Sequence, residues 1–424
     1  MELDSGSEKN IDIAIIGAGP AAYFSAINCA ESGFGKKFQI QIFEKQKTVL
    51  NKVKVSGGGR CNVTTSTLNP VDLVHFYPRG KKELLGPFNY WGPKDTANWF
   101  ESKGVRLQTE KDGRVFPYSN DSQTIIDCLS KEIKRLGVNV VHGTTIIKLS
   151  KREEDFELHL SCGKVVRAKK VLVAAGSLST SNLVTEIKAL GHKVTPLVPS
   201  LFSFKIKDAL LTDLQGLSVL DMEVTAVGSK FKERGPSVVT HWGMSGPAIL
   251  KLSSRGALWF HKKEYRFNVI INWVPSINKE QVKEQLIKVV KSDDGRKLKN
   301  LSQFGIPSRL WEGLLLRAGL VPDDPGRGLS IKSIASLADV LNRTAFSVEG
   351  KSTNKEEFVT CGGVSLKEVN FKTMESKLVS GLYFAGESLN IDALTGGYNF
   401  QAAWTTGRIA GKALAESIKE GIKS

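Results

Sequence analysis

At 424 residues the chain exceeds what one simple core requires, and at roughly 100–200 residues per domain it calls for two or three domains. Its 41% hydrophobic and 24% charged content is that of a globular protein, and no apolar run reaches the ~18 residues that span a bilayer, so no membrane partner is expected. Lys plus Arg number 59 against 43 Asp plus Glu, and the net charge of +16 invites a polyanionic partner, although a merely basic enzyme surface would give the same figure.

The opening "MELDSGSEKN", residues 1–10, has neither the basic start nor the apolar stretch of a secretory signal and is expected to be a flexible N-terminus. A cytoplasmic location is expected, or an organelle stroma or matrix had a transit peptide been removed. Cys29, Cys61, Cys128, Cys162 and Cys361 lie far apart without CxxC spacing, which argues against a zinc knuckle or a paired-thiol redox centre and for a reducing compartment. No metal site is expected.

"IDIAIIGAGPAAYFSAINCAESG" reads as a buried strand, a glycine turn and a helix, and "FQIQIFEKQ" follows as a second strand ending in Glu44 and Lys45. Strand, turn, helix and strand in this order form a dinucleotide-binding unit. Gly17 makes the tight turn, Gly19 admits the pyrophosphate to the backbone, and Ala22 stands where helix packs on strand. Contacts to a cofactor are expected from Gly17, Ala18, Gly19, Pro20 and Ala21 at the helix N-terminus. Glu44 is placed for the ribose hydroxyls, and its charge would repel a 2′-phosphate, so this site suits FAD or NAD rather than NADP.

"KVSGGGRCNVTT", from Lys54 to Thr65, follows with three consecutive glycines, whose ordering cost implies a close backbone approach. The surrounding stretch from Lys36 to Lys82 holds ten basic residues against Glu44 and Asp72. "AKKVLVAAGSLST" is a buried strand with a small-residue turn at Ala175 and Gly176. From about Thr195 to Lys355 β-like segments give way to helical ones, and in "NKEQVKEQLIKVVKSDDGRKLKN" Val282, Leu286, Val289 and Val290 recur at helical spacing between lysines. Near the C-terminus "SGLYFAGESLNIDALTGGYNFQAAWTTGRIAGKAL" reads as strand, acidic loop, glycine pair and helix, completing the fold begun at residue 11.

"NKVKVSGGGRCNVTT", "THWGMSGPAIL", "LYFAGESLNIDALTGGYNFQAAWTTG" and "IIGAGPAAYFSA" together resemble the bacterial HI0933-type flavoproteins, also called BaiN-like or aminoacetone-oxidase-like. The resemblance implies FAD and an α/β fold. It implies a Rossmann-like FAD-binding domain of two-dinucleotide type, expected at 11–194 and 356–424, with an inserted β-barrel-like plus helical domain expected at 195–355 (β-rich 195–275, helical 276–345). It also implies flavin contacts from Gly58, Gly59, Arg60, Cys61 and Asn62, from Ala175 and Gly176, from Gly386 and Glu387, and from Gly396, Gly397, Tyr398 and Asn399.

The family is linked to hydride addition across a carbonyl-conjugated C=C bond, in steroid enones or in a uridine of large-subunit rRNA. The favoured expectation is an FAD-dependent oxidoreductase making dihydrouridine in rRNA, with rRNA as partner. A small-molecule ene-reductase, an amine oxidase and a flavin-holding scaffold are the alternatives. One dinucleotide fingerprint is visible, so NADPH or NADH is expected as a transient donor at most. Cys61, beside Arg60, is a candidate proton donor or a small residue packed beneath the flavin. His241, in "THWGMSGP", is either a second candidate acid or a buried core histidine. Trp242, Trp259, Tyr265 and Trp273 are candidates for base stacking or for the core.

Overall fold

In the computed structural model the described residues are 9–34, 38–180, 182–292, 295–352 and 359–423. Most of the expected N-terminal tail, residues 1–8, lies outside them, as do Lys36 and Lys37 of the basic stretch. Two compact units divide the chain, Met1–Pro199 with Lys355–Ser424, and Ser200–Asn354.

The first unit is built on five parallel strands. In spatial order they are Leu382–Phe384, Val165–Val173, β1 (Lys9–Ile16), β2 (Ile40–Phe43) and Asn139–Val141. The central strands read as unbroken apolar runs because both faces of a parallel sheet are covered, and Ile13, Ala14, Ile15, Val171, Leu172 and Val173 are fully buried. The sheet is complete only when the C-terminal strand Leu382–Phe384 returns beside Val165–Val173.

Helix α1 (Pro20–Cys29) starts with Pro at its first position, where a missing N–H costs nothing, and buries Ala21 through Cys29. Against it lies the C-terminal helix Tyr398–Lys423. The two backbones approach without intervening side chains: a Cβ on Gly407 would lie 2.6 Å from the Ala21 carbonyl oxygen, and one on Gly411 only 2.3 Å from that of Ser25. Phe24, Trp99, Phe100 and Trp404 fill the adjoining space edge-to-face, with Phe24–Trp99 centroids 4.9 Å apart and Phe24–Trp404 5.5 Å.

The second unit has its own core and a seven-stranded antiparallel sheet. The edge strands of that sheet, Thr344–Val348 and Gly350–Ser352, are consecutive in the chain and separated by Glu349 alone. The sheet therefore curls until its edges nearly meet, as a barrel does. Helix Lys279–Lys291 carries an Asn278/Gln281 capping box and buries Val282 and Leu286. Trp273 is core, its indole N–H donating to Thr344 Oγ1 at 2.8 Å. Among the described residues no helix is long and apolar enough to cross a membrane.

Gly411→Val should be among the most destabilising single changes in the first unit. The added side chain must push α1 off the C-terminal helix, an overpacking cost of about 1–3 kcal/mol or more, visible as a lower denaturation midpoint. Val at exposed Gly104 fits the available space but meets a φ of +87, so its cost should come from backbone strain alone.

Candidate functional site

The turns leaving three adjacent parallel strands converge at their carboxyl ends, where open α/β sheets bind ligands. Gly17 follows β1 with φ +97, and a Cβ there would sit 2.5 Å from the Ala175 Cα, so the two turns touch backbone to backbone. Gly176 (φ +67) follows, with Glu387 Oε2 the nearest atom to its Cβ direction at 3.7 Å. Gly386 (φ +66) would place a Cβ 2.9 Å from that of Ala21, bringing the "FAGE" loop against the first turn of α1. Its amide is held by Thr406 Oγ1 at 3.0 Å.

No side chain caps the N-terminus of α1, where Gly19 is the N-cap residue. Its first-turn amides and the positive end of the helix dipole are the groups that bind a pyrophosphate. At the end of β2 the Glu44 carboxylate accepts from Ala18 N at 2.8 Å and from Gln46 N at 2.9 Å. One bond per oxygen leaves each oxygen a further lone pair for a ribose hydroxyl. Burial and the nearby Glu44 charge push the Tyr23 phenol up to about 12. Lys45 is exposed.

Helix α2 (Asn51–Gly59) carries the glycine block and is broken inside it. Ser56 is extended, while Gly57, Gly58 and Gly59 have φ of +59, +69 and +84, and Cys61 shares the left-handed region at +61. The three glycines are thus required first by backbone conformation. Gly57 also sits against Phe116, whereas the Cβ directions of Gly58 and Gly59 meet no atom within 4 Å. Gly19 is equally open. Open, side-chain-free backbone at these three points, beside an uncapped helix and a ribose-ready carboxylate, fits FAD.

Cys61 lies wholly inside, 0% exposed, and burial raises its thiol to about 12 despite a hydrogen bond with Ser56. Arg60 turns away to Glu110, at 2.7 Å, with its guanidinium 4.0 Å above the Phe116 ring. Asn62, with its amide oriented to satisfy its neighbours, donates to Val115 O (3.2 Å) and Thr64 O (2.9 Å) and accepts from Gly397 N at 2.8 Å. It therefore clamps the two glycine blocks together. Gly397 has φ +86 and a Cβ there would lie 2.3 Å from Thr64 O. Trp404 Nε1 donates to Val63 O at 2.9 Å, and Thr64 Oγ1 to Gln401 Oε1 at 2.6 Å.

Tyr398 opens the C-terminal helix stacked on Phe76, 4.1 Å and 10° from parallel. Asn399 folds back on Ala393, accepting from its N–H at 2.9 Å and donating to its carbonyl at 3.1 Å. Gly396 has φ +133. Glu387 pairs with Lys52 of α2. Neither Lys52 nor Glu110 was among the residues singled out in the sequence as cofactor contacts. Lys52 stood in view as part of the basic stretch, but its partner is 335 residues away.

His241 occupies the turn between strands Lys232–Thr240 and Gly243–Ser245 of the second unit, exposed, with its ring 4.0 Å from that of Trp242. The buried-core reading of this histidine does not apply. A Ser376–His192–Glu368 chain (2.9 and 3.2 Å) has the connectivity of a hydrolytic triad. Its serine oxygen also accepts from Leu378 N and Val379 N, and the His192 side chain is 0% exposed, so it fastens a turn.

A family model described as the HI0933-like protein Rossmann domain matches residues 11–413. The chain belongs to the HI0933-like family. Over 407 residues it is 30% identical to the ribosomal RNA dihydrouridine synthase of Haemophilus influenzae, covering 92% of this chain and 95% of that one. It is 29% identical to the protein of the same name from Escherichia coli, with 94% and 96% covered. It is also 25% identical over 417 residues to the 3-dehydro-bile acid Δ4,6-reductase of Clostridium scindens, covering 95% and 99%. Among solved structures the 3-ketosteroid Δ4-(5α)-dehydrogenase of Rhodococcus jostii superposes with a TM-score of 0.52 at 12% identity, over 97% of this chain and 98% of that one. This HI0933-like chain thus has the FAD-binding Rossmann fold of the flavin-dependent oxidoreductases.

Asn62→Ala should leave the half-buried Gly397 amide without its acceptor, at about 0.5–1.5 kcal/mol. The expected result is a lower unfolding midpoint together with weaker FAD retention on dilution. A midpoint and flavin content equal to those of the unmodified protein would contradict the clamp.

Proposed function

We propose that the chain is an FAD-dependent reductase of carbonyl-conjugated C=C bonds, and that its substrate is a uridine of large-subunit rRNA, reduced to dihydrouridine. The observation that carries this reading is near-full-length similarity to two proteins named for dihydrouridine synthesis and to one named for Δ4,6 reduction of a bile acid. The substrates differ in size and charge, but the chemistry is one. Hydride adds to the β-carbon, the carbonyl takes up the developing charge, and a proton is delivered to the α-carbon. Between the two substrates, the net charge of +16 favours the polyanion. A steroid-type enone is the second reading, and the bile-acid relative is what favours it. An rRNA substrate would place the enzyme where ribosomes are made, in the cytoplasm or an organelle stroma or matrix.

In this reading the backbone N–H groups of Gly19 and Ala21, on either side of Pro20, hold the pyrophosphate and Glu44 holds the adenosine ribose. Gly58 and Gly59 offer backbone without side chains to the flavin, and the Ala175–Gly176 turn adds a small-residue contact. When bound, FAD supplies the hydride. The Lys52–Glu387 pair sets the rim beside Gly176 and cancels charge there. The N-terminal end of the helix Tyr398–Lys423 contributes its positive dipole next to the glycine block. Burial holds Cys61 protonated and out of the cleft, which argues for packing rather than proton donation. His241, the other candidate acid, is exposed in the second unit. NADPH or NADH is proposed as a donor that binds transiently.

Mixing the FAD-loaded protein with NADPH or NADH without oxygen should bleach the flavin, and unmodified large-subunit rRNA should restore its colour faster than an enone does. Reoxidation by the enone alone would favour the second reading. Cys61→Ala should keep its flavin and its turnover, whereas a loss of turnover with flavin still bound would restore the thiol as the acid.

A further inference from the structure

We propose that an open cleft of about 690 Å³ in the second unit is a docking surface for a single-stranded segment of RNA. The proposal rests on the rRNA reading above for the identity of that strand. The cleft lies between the Gly228–Ser229 turn and helix Ala257–Lys262, and its side-chain walls are Lys230, Phe231, Leu258, Trp259 and Lys262.

Its chemistry is one-signed. No carboxylate lines it, and Lys230, Lys262 and the adjoining Lys263 are exposed. Beyond Arg255, which pairs with Glu233, residues 251–266 add Lys251 and Arg266 against the single acid Glu264. The acids of the neighbouring strands already have cations: Glu233 pairs with Arg255 at 2.5 Å and Glu223 with Lys232 at 2.8 Å. The positive charge facing the cleft is therefore left for an outside anion.

The aromatic floor is fixed rather than loose. Trp259 is half-buried, its ring held by Phe231, Phe260 and Phe267 at centroid distances of 6.4, 5.2 and 5.9 Å, all near edge-on. Lys263 Nζ lies 5.8 Å from the same ring. A rigid, partly open indole ringed by lysines is what a single strand needs, since unstacked bases find a π-face while the phosphates find point charges.

A second cleft in the molecule makes the contrast. That one, about 440 Å³, is also aromatic, with Trp91 and Trp99, but Glu31 and Asp95 line it beside Arg408 and Lys103, and Lys103 is already bound to Glu31 and Glu132. Its charges of both signs balance, so it offers phosphates no net attraction.

The test compares Lys230→Glu/Lys262→Glu/Lys263→Glu with a charge-matched control on the helix Lys279–Lys291, Lys283→Glu/Lys288→Glu/Lys291→Glu. Bound flavin per chain and the thermal midpoint report folding for both. Binding of a large-subunit rRNA transcript is measured across a salt series. The cleft variant should lose about tenfold or more in affinity, with a log K against log salt slope shallower by roughly two, at ~0.7 per lost single-strand phosphate contact. The control should lose no more than about threefold by loss of general charge.

Equal losses in the two variants, undiminished RNA binding by the cleft variant, or no RNA binding by the unmodified protein would each overturn the proposal. So would loss of binding to phosphatidylserine vesicles while RNA binding stays intact. Dihydrouridine formation is scored separately. RNA binding through the cleft without dihydrouridine would sink the rRNA-reductase reading and leave the docking surface standing. Dihydrouridine formed by a cleft variant of unchanged affinity would do the reverse.

Discussion

The first unit depends on one constraint, the bare-backbone contact of its C-terminal helix with two other parts of the chain. Gly407 and Gly411 bring it onto Ala21 and Ser25 of α1, and Gly397, just ahead of it, brings it onto Thr64 beyond the glycine block. At each of the three points a single added carbon would lie 2.3–2.6 Å from a carbonyl oxygen. No rotamer can relieve that, because the colliding atom is backbone. The consequence is that segments from near residues 20, 60 and 400 are held side by side, although no local interaction in the sequence links them. The uncapped end of α1, the left-handed glycine turn and the "FAGE" loop all inherit their positions from this contact.

Charge around the cleft follows a related economy. Lys52 with Glu387, Arg60 with Glu110 and Arg79 with Asp392 are ion pairs, and Asp392 is fully buried. A buried charge must be paired, and removing either member of the Arg79–Asp392 pair would strand the other. With these groups paired, the candidate flavin contacts are glycine backbone at Gly19, Gly58 and Gly59 and the Glu44 carboxylate. The excess of +16 is therefore not spent on neutralising one cofactor. Some of it collects in the second unit around Trp259, where no acid faces the cleft.

Much of the fold was legible because its signals are local. The strand, glycine turn, helix and strand from residue 11 to Glu44 stand in the structure in that order, and so does the returning strand and helix at the C-terminus. The helix at 279–291 has the buried face its spacing implied. The glycines of "SGGGRCN" were legible as a backbone demand but not as the left-handed turn they make, since φ is not written in composition. Roles set by distant partners were not legible at all. Asn62 clamps Gly397 from 335 positions away, Arg60 turns to Glu110, and burial pushes the Cys61 thiol up to about 12 beside an arginine expected to lower it. The curl of the second sheet likewise appears only when its edge strands are seen to be neighbours in the chain.

The measurement closest to the central claim is quantitative mass spectrometry of large-subunit rRNA nucleosides from cells with and without this protein. Dihydrouridine at one large-subunit position should be lost in the deleted cells and return when the intact chain is supplied. An unchanged dihydrouridine content would contradict that claim.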